Sequence, residues 1–175
     1  DFGIDVRIAD YNNYDTLVEA FNDIQKLLFV SSGTVENRTI QHENVVKAAK
    51  ESKVNHIVYT SFIRNTKLED SAIAFLQESH LRTEEFLKNS GITYTILQNA
   101  LYLDLIGMFL GEDLLNTGLI FQPAELGQSS PVLRKELAEA AVNVLTSQGH
   151  ENKIYPLVNE ESLSFQDIAD SISKI

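Results

Sequence analysis

Short apolar runs that stop at small polar residues alternate along this chain with longer stretches in which apolar positions recur every three or four residues. Leu27-Leu28-Phe29-Val30 breaks off at Ser31-Ser32-Gly33, and His56-Ile57-Val58-Tyr59 breaks off at Thr60-Ser61. Apolar runs of this length, bounded by turn residues, predict buried strands. Between them, Arg38 to Ser52 sets Ile40, Val45, Val46, Ala48 and Ala49 on one stripe, with Lys47, Lys50 and Glu51 elsewhere, which predicts an amphipathic helix. Strand, helix, strand is a βαβ crossover. Ligands of an open parallel sheet lie beyond the carboxyl ends of its strands, so Ser31-Ser32-Gly33 and Thr60-Ser61 are expected on one rim.

The same patterns extend to both sides. Ile4, Val6 and Ile8 alternate with polar residues up to Asp10, predicting a half-buried strand, and Asn12-Asn13 offers a cap for a helix carrying Leu17, Val18, Ala20 and Phe21. After a polar, irregular 64–70 stretch, Ile73, Leu76, His80, Thr83 and Leu87 share one face of a long helix that Ser90-Gly91 ends. Thr93 to Leu97 is the next strand and stops at Gln98-Asn99-Ala100. Residues 101–116 read as helical, weakened by Gly107 and Gly111, and 118–121 as a short strand. Leu133 to Ser147 has helical spacing; Ile154 to Val158 is a strand that Pro156 confines to an edge or a bulge; Ser164-x-x-Asp167 opens the last helix with a capping box. Strands and helices alternating with short connections predict an α/β fold, a doubly wound parallel sheet.

With 175 residues, the chain has material for one ordinary domain. A formal charge of −11 argues against nucleic acid or an anionic membrane as a partner, because both are held by Lys and Arg. The absence of cysteine excludes disulfides, thiolate nucleophiles and Cys-ligated zinc and agrees with a reducing cytoplasm. His42, His56, His80 and His150 show no metal-ligand spacing, so no metal is expected. One observation cuts against a dinucleotide site: no Gly-rich turn of the GxGxxG or GxxGxxG type occurs.

An ordered series of stretches nevertheless resembles the NmrA-like branch of the atypical short-chain dehydrogenase/reductases, in particular its bacterial NAD(P)H:quinone oxidoreductases. The carriers are Val6-Arg7-Ile8-Ala9-Asp10-Tyr11, Lys26 to Ser32, Gln41-His42-x-Asn44-Val45-Val46-x-Ala48-Ala49-Lys50, Ile57 to Ser61, His80-x-x-Thr83-Glu84, Ser90-Gly91-Ile92-x-Tyr94-Thr95-Ile96-Leu97 and Gly149-His150-Glu151-x-Lys153-Ile154-Tyr155. The resemblance implies a Rossmann-like sheet incomplete at the N-terminus and stopping early at the C-terminus. The chain would begin at the family's third strand, a fragment lacking the Gly-rich βαβ unit. Without that unit, the Ile4–Ala9 strand loses its usual neighbours. It also implies a partial NAD(P)-binding domain over 1–118, with a substrate-side portion over 119–175 packed on it.

By the same resemblance, Asp10 and Tyr11 lie near the adenine, and Val30, Ser31, Ser32 and Gly33 run past the cofactor ribose, although a plain strand-ending turn uses the same residue types. Tyr59, Thr60 and Ser61 end a strand where relatives place a hydroxyl toward substrate. The relatives' Tyr-x-x-Ser-Lys-x-x-x-Glu helix reads Leu76-x-x-Ser79-His80-x-x-x-Glu84 here. Leucine donates no proton, so carbonyl reduction through that Tyr is unsupported, while His80 takes the Lys position toward the ribose; the plainer reading pairs it with Glu84 at i,i+4. Gln98, Asn99 and Ala100 replace an Arg-Asn-Gly corner near the nicotinamide, and Tyr59 and Tyr102 are further candidates to line the pocket. The implied function is hydride transfer from NADPH or NADH, with NADPH favoured, to a small quinone-like acceptor, with Ser61, His80 and Asn99 as the reacting-centre residues. The competing function is a non-catalytic NAD(P)-binding redox sensor. A homo-oligomer is compatible with either.

Overall fold

The computed structural model describes residues 3–174. Its main sheet has four parallel strands, β1 (Lys26–Phe29), β2 (His56–Phe62), β3 (Thr93–Asn99) and β5 (Lys153–Leu157), in the order β1-β2-β3-β5. Parallel neighbours need crossovers, and these are supplied by α2 (Arg38–Glu51), α3 (Ala74–Ser90) and, after a long irregular stretch, α5 (Arg134–Thr146). On one face Phe29, Ile57, Tyr59 and Ile96 pack against Val45 and Ala49 of α2, Leu87 of α3, and Leu17 of the short α1 (Tyr14–Ala20). On the other face Val58 and Leu97 pack against Ala141 and Val144 of α5. Both faces are covered, which is why these strands are runs of apolar residues rather than alternating ones. This is the doubly wound, Rossmann-like architecture.

Pro156 lies in β5, opposite Gln98, at the outer edge of the sheet, where a missing N–H costs no ladder bond. α3 ends at Gly91, whose φ of 80° is the left-handed conformation that glycine adopts freely. The capping box at Ser164 is formed: its hydroxyl accepts from the Asp167 amide at the head of α6 (Phe165–Ile172). A two-stranded antiparallel ribbon, β4 (Gln128–Ser129) with β6 (Leu163–Ser164), stands apart from the main sheet.

The structure corrects five expectations. Residues 4–9 form no strand: Ile4, Val6 and Ile8 are 73, 85 and 93% exposed, and the extended segment is tied down by Arg7, whose Nη1 donates to the carbonyls of Ala20 and Asn22. Asn13 caps α1 by backbone position alone, with no side-chain bond. Residues 101–116 are a 3-10 stretch (Leu103–Phe109) followed by the single turn of α4 (Leu114–Thr117), because Gly107 and Gly111 interrupt any longer helix. Residues 118–121 are irregular, with Leu119 and Phe121 exposed. Ile40 faces solvent, whereas Arg38, Gln41 and His42 of the same helix are buried. That inversion occurs at the end of α2 nearest the rim.

Candidate functional site

β2 and β3 run beyond the predicted ends, so Thr60, Ser61, Gln98 and Asn99 are the last strand residues rather than turn residues. Their side chains are therefore held by ladder pairing, with Ser61 opposite Gln98. Beyond these ends opens a hollow of about 200 Å³. Ser31, Ser61, His80, Asn99 and Ala100 line it, as do Leu76 and Tyr102. Six of the residues proposed for the site, Ser31, Ser61, His80, Asn99, Ala100 and Tyr102, thus meet at one place on the carboxyl rim of the sheet, whereas Tyr59 is fully buried beneath it and lines no wall. Arg38, which the sequence reading did not single out, completes the wall.

Beneath the hollow a buried chain of polar groups fixes the histidine chemistry. The Ser32 amide can only donate, so His42 Nε2, 2.9 Å away, accepts. Burial, then the neighbouring His80 and Arg38, push the His42 pKa down to about 3, so the ring is neutral and its proton is on Nδ1. That proton goes to Thr83 Oγ1 at 2.7 Å, and the Thr83 hydroxyl in turn donates to the Ser79 carbonyl. Tyr59 Oη lies 3.5 Å from the protonated His42 Nδ1 and 2.8 Å from His80 Nδ1. Burial raises the Tyr59 pKa, so the phenol keeps its proton and donates it to His80 Nδ1. Burial, followed by Arg38 and Arg64, lowers the His80 pKa to about 4 against the opposing pull of Glu84. His80 is therefore neutral with its proton on Nε2, a donor with no partner among the described residues.

Glu84 does not pair with His80. Its carboxylate accepts from Ser61 Oγ at 2.6 Å, Gln98 Nε2 at 3.2 Å and Arg64 Nη2 at 3.0 Å, with Lys88 at 3.7 Å. Burial opposes its charge, but Ser61, Gln98 and Arg64 together hold its carboxyl below the usual range. The effect is to commit the Ser61 proton to Glu84, so Ser61 presents lone pairs to the hollow.

The remaining predicted residues lie around this centre. Ser31 is joined to β2 by its amide, which donates to Thr60 Oγ1 at 3.0 Å. Ser32 Oγ is hydrogen-bonded to Thr34, and Gly33 is exposed. Tyr11 Oη donates to the carbonyl of Val30, itself 54% exposed, and Asp10 accepts from the Asn12 amide in an exposed turn. These five, Asp10, Tyr11, Val30, Ser32 and Gly33, stand around the outer end of β1, and none of them lines the hollow. Ala100 donates its amide to Leu157.

Asn99 is 5% exposed, and its Oδ1 has no hydrogen-bond partner although it is buried beside the hollow. A buried acceptor left open, small walls at Ser31, Ser61 and Ala100, and a cation at Arg38 suit the carboxamide, ribose and phosphate of a reduced nicotinamide nucleotide. The Asn99 orphan was not legible in sequence, since any strand-ending Asn looks alike; Arg38 was hidden because its position reads as the first residue of a helix.

A doubly wound parallel sheet with such a hollow at its carboxyl rim defines a dinucleotide-binding class of protein. Residues 2–148 match the NAD(P)H-binding family model, and the chain belongs to that family. It is 34% identical over 172 residues to quinone oxidoreductase 2 of Escherichia coli, covering 98% of this chain and 58% of that protein. An NmrA-like family domain-containing oxidoreductase, flvB, of Aspergillus flavus is 33% identical over 176 residues, covering 98% of this chain and 56% of that protein. Among solved structures, Citrobacter sp. triphenylmethane reductase complexed with NADP(H) superposes with a TM-score of 0.87 at 40% identity, covering 99% of this chain and 60% of that one. The NADPH complex of the E. coli quinone oxidoreductase gives 0.84 at 34% identity, covering 98% and 59%. The chain thus spans less than two thirds of these relatives. No helix among the described residues is long and apolar enough to cross a membrane.

Proposed function

We propose that this protein is an NAD(P)H-dependent oxidoreductase that passes hydride to quinones, with NADPH the preferred donor. The observation that carries this reading is Leu76. It lines the hollow at the position where dehydrogenases of the wider superfamily carry their proton-donating Tyr, so the wall supplies hydrogen bonds but no phenolic acid. A quinone suits such a wall. When bound, the cofactor supplies a hydride; the quinone takes up that hydride and one proton from water and becomes a quinol, so no protein acid is required.

The residues divide the work by their fixed protons. His80 Nε2–H and Arg38 are donors toward the ribose and phosphate oxygens. Asn99 offers its open carbonyl to the nicotinamide carboxamide, and Ser61 accepts from a hydroxyl. Ser31 and Ala100 keep the walls low enough for close approach. Asp10, Tyr11, Val30, Ser32, Gly33 and Thr60 belong to the adenosine side of the same rim, with Tyr59 and Gln98 acting from beneath. The 119–175 portion serves the substrate side. The lack of cysteine supports a cytoplasmic setting.

The test is NADPH oxidation by the purified protein with 1,4-benzoquinone and 2-methyl-1,4-naphthoquinone, beside a thermal-shift titration with NADPH. Quinone-dependent oxidation supports the enzyme. A thermal shift without oxidation favours the redox-sensing reading, and neither response sinks both.

A further inference from the structure

A second hollow, of about 400 Å³, adjoins the first and shares Phe62, Ala100 and Leu101 with it. It lies between the start of α3 and the β4 ribbon strand. Ile63, Ile73 and Val158 give it apolar walls, and Gln128, Ser129 and Gln77 contribute polar ones. Gln77 is the unusual member. It is only 4% exposed, its Oε1 is buried with no partner, and its side-chain amide makes no hydrogen bond to the described residues. Buried carboxamides are ordinarily satisfied on both ends, because an unpaired one forfeits its hydration for nothing. One left open on the wall of a hollow awaits a ligand group.

We propose that this hollow is the acceptor's subsite and that Gln77 holds one ring oxygen of the acceptor. The inference rests on the oxidoreductase reading for its substrate class and adds the residue that recognises it. A carboxamide suits both ends of the reaction. Its Nε2–H donates to a quinone carbonyl, and after a half-turn of the amide its Oε1 accepts from the quinol hydroxyl. The flanking Ile63, Ile73 and Val158 accept the flat apolar ring. Gln77 thereby selects planar acceptors with an oxygen at the ring edge over acceptors with no such atom, such as triphenylmethane cations bearing only tertiary amines. Sequence spacing puts Gln77 one residue after Leu76, so the helix turn that removes the acid also supplies this amide.

The test uses Gln77→Leu, which fills similar volume and removes an unsatisfied amide, so folding is retained. Steady-state kcat/KM for 2-methyl-1,4-naphthoquinone falls roughly three- to tenfold, the worth of one neutral hydrogen bond. Reduction of a tertiary-amine triphenylmethane dye and the NADPH dissociation constant stay within twofold. Independently of turnover, the Gln77 side-chain NH2 signals in a 1H–15N spectrum move as the quinone is added. Movement of those signals in a protein that never oxidises NADPH keeps the subsite and removes the enzyme. Signals unmoved at saturating quinone, or a quinone kcat/KM unchanged in Gln77→Leu, overturn the subsite itself.

Discussion

Tyr59 Oη and His80 Nδ1 are 2.8 Å apart, and the direction of their hydrogen bond is dictated by a third group, the Ser32 backbone amide. Because that amide makes His42 Nε2 an acceptor, His42 Nδ1 is a donor, and the Tyr59 proton is left with His80. The imidazole above is thus locked with Nε2–H toward the hollow. Tyr59→Phe keeps the ring, which packs on Phe29 at a centroid distance of 4.9 Å, and deletes only the donor. The expected cost is about 1–3 kcal/mol in urea unfolding, the range for leaving a buried polar atom unpaired. In a long-range 1H–15N spectrum the His80 ring changes from one tautomer to a mixture; an unchanged tautomer would show that Tyr59 does not set it.

Glu84 is the electrostatic counterpart of this pair. With 3% of its side chain exposed and Arg64 at 14%, the ion pair is shielded from solvent, so screening does little to weaken it. Glu84→Ala leaves the Arg64 guanidinium without its carboxylate and frees the Ser61 hydroxyl. Breaking a buried pair by removing one partner costs about 3–5 kcal/mol, and the urea midpoint falls accordingly. Replacement of Glu43, whose bond to Lys47 is on the surface, serves as the control and shifts stability by under about 1 kcal/mol.

Much of the fold was legible because core positions obey simple periods. The runs at 27–29, 56–59 and 93–97 lie in strands, and the stripe through His80, Thr83 and Leu87 belongs to a helix, as burial on both sheet faces demands, whereas Val30 and Ile73 fall just outside their elements and are exposed. What failed has a common cause in missing neighbours or in chemistry overriding pattern. Ile4, Val6 and Ile8 alternate properly, but alternation makes a strand only beside a partner strand. Spacing alone puts Ile40 in the core, whereas the inward positions nearby hold Arg38, Gln41 and His42, whose polar groups serve the rim. Such local violations are expected where a fold carries a site. The vacancy at Asn99 Oδ1 and at Gln77 Oε1 is invisible in any sequence, since it is a property of what surrounds the amide.

Asn99→Ala separates binding from folding. In the ligand-free protein the Oδ1 has no partner, so removing it relieves a desolvated acceptor and leaves stability within about 1 kcal/mol. If that carbonyl receives the nicotinamide carboxamide, the NADPH dissociation constant rises roughly three- to tenfold. Fluorescence titration measures it directly. Unchanged affinity would move Asn99 out of the cofactor's reach.

Acid should unfold this protein through its buried imidazoles. For His42 and His80 the folded-state pKa values, about 3 and about 4, lie below the ordinary value of 6.5, so the unfolded chain binds protons more readily than the folded one. Stability is therefore complete above about pH 6.5 and declines as the pH falls toward the folded values, the unfolded state gaining on the order of 2 kcal/mol per ring by about pH 4.5. Glu84 adds to the loss at the acid end: its carboxyl is held below the ordinary range in the fold, so the stability it contributes disappears as the pH drops below its unfolded value. Urea midpoints between pH 8 and pH 4.5 should thus slope downward toward acid, and the slope should flatten in a His42→Gln variant, whose amide never titrates. A wild-type profile flat over that interval would mean that these rings take up protons as readily in the fold as in the unfolded chain, and the proton assignments that need both rings neutral and shielded would fall with it.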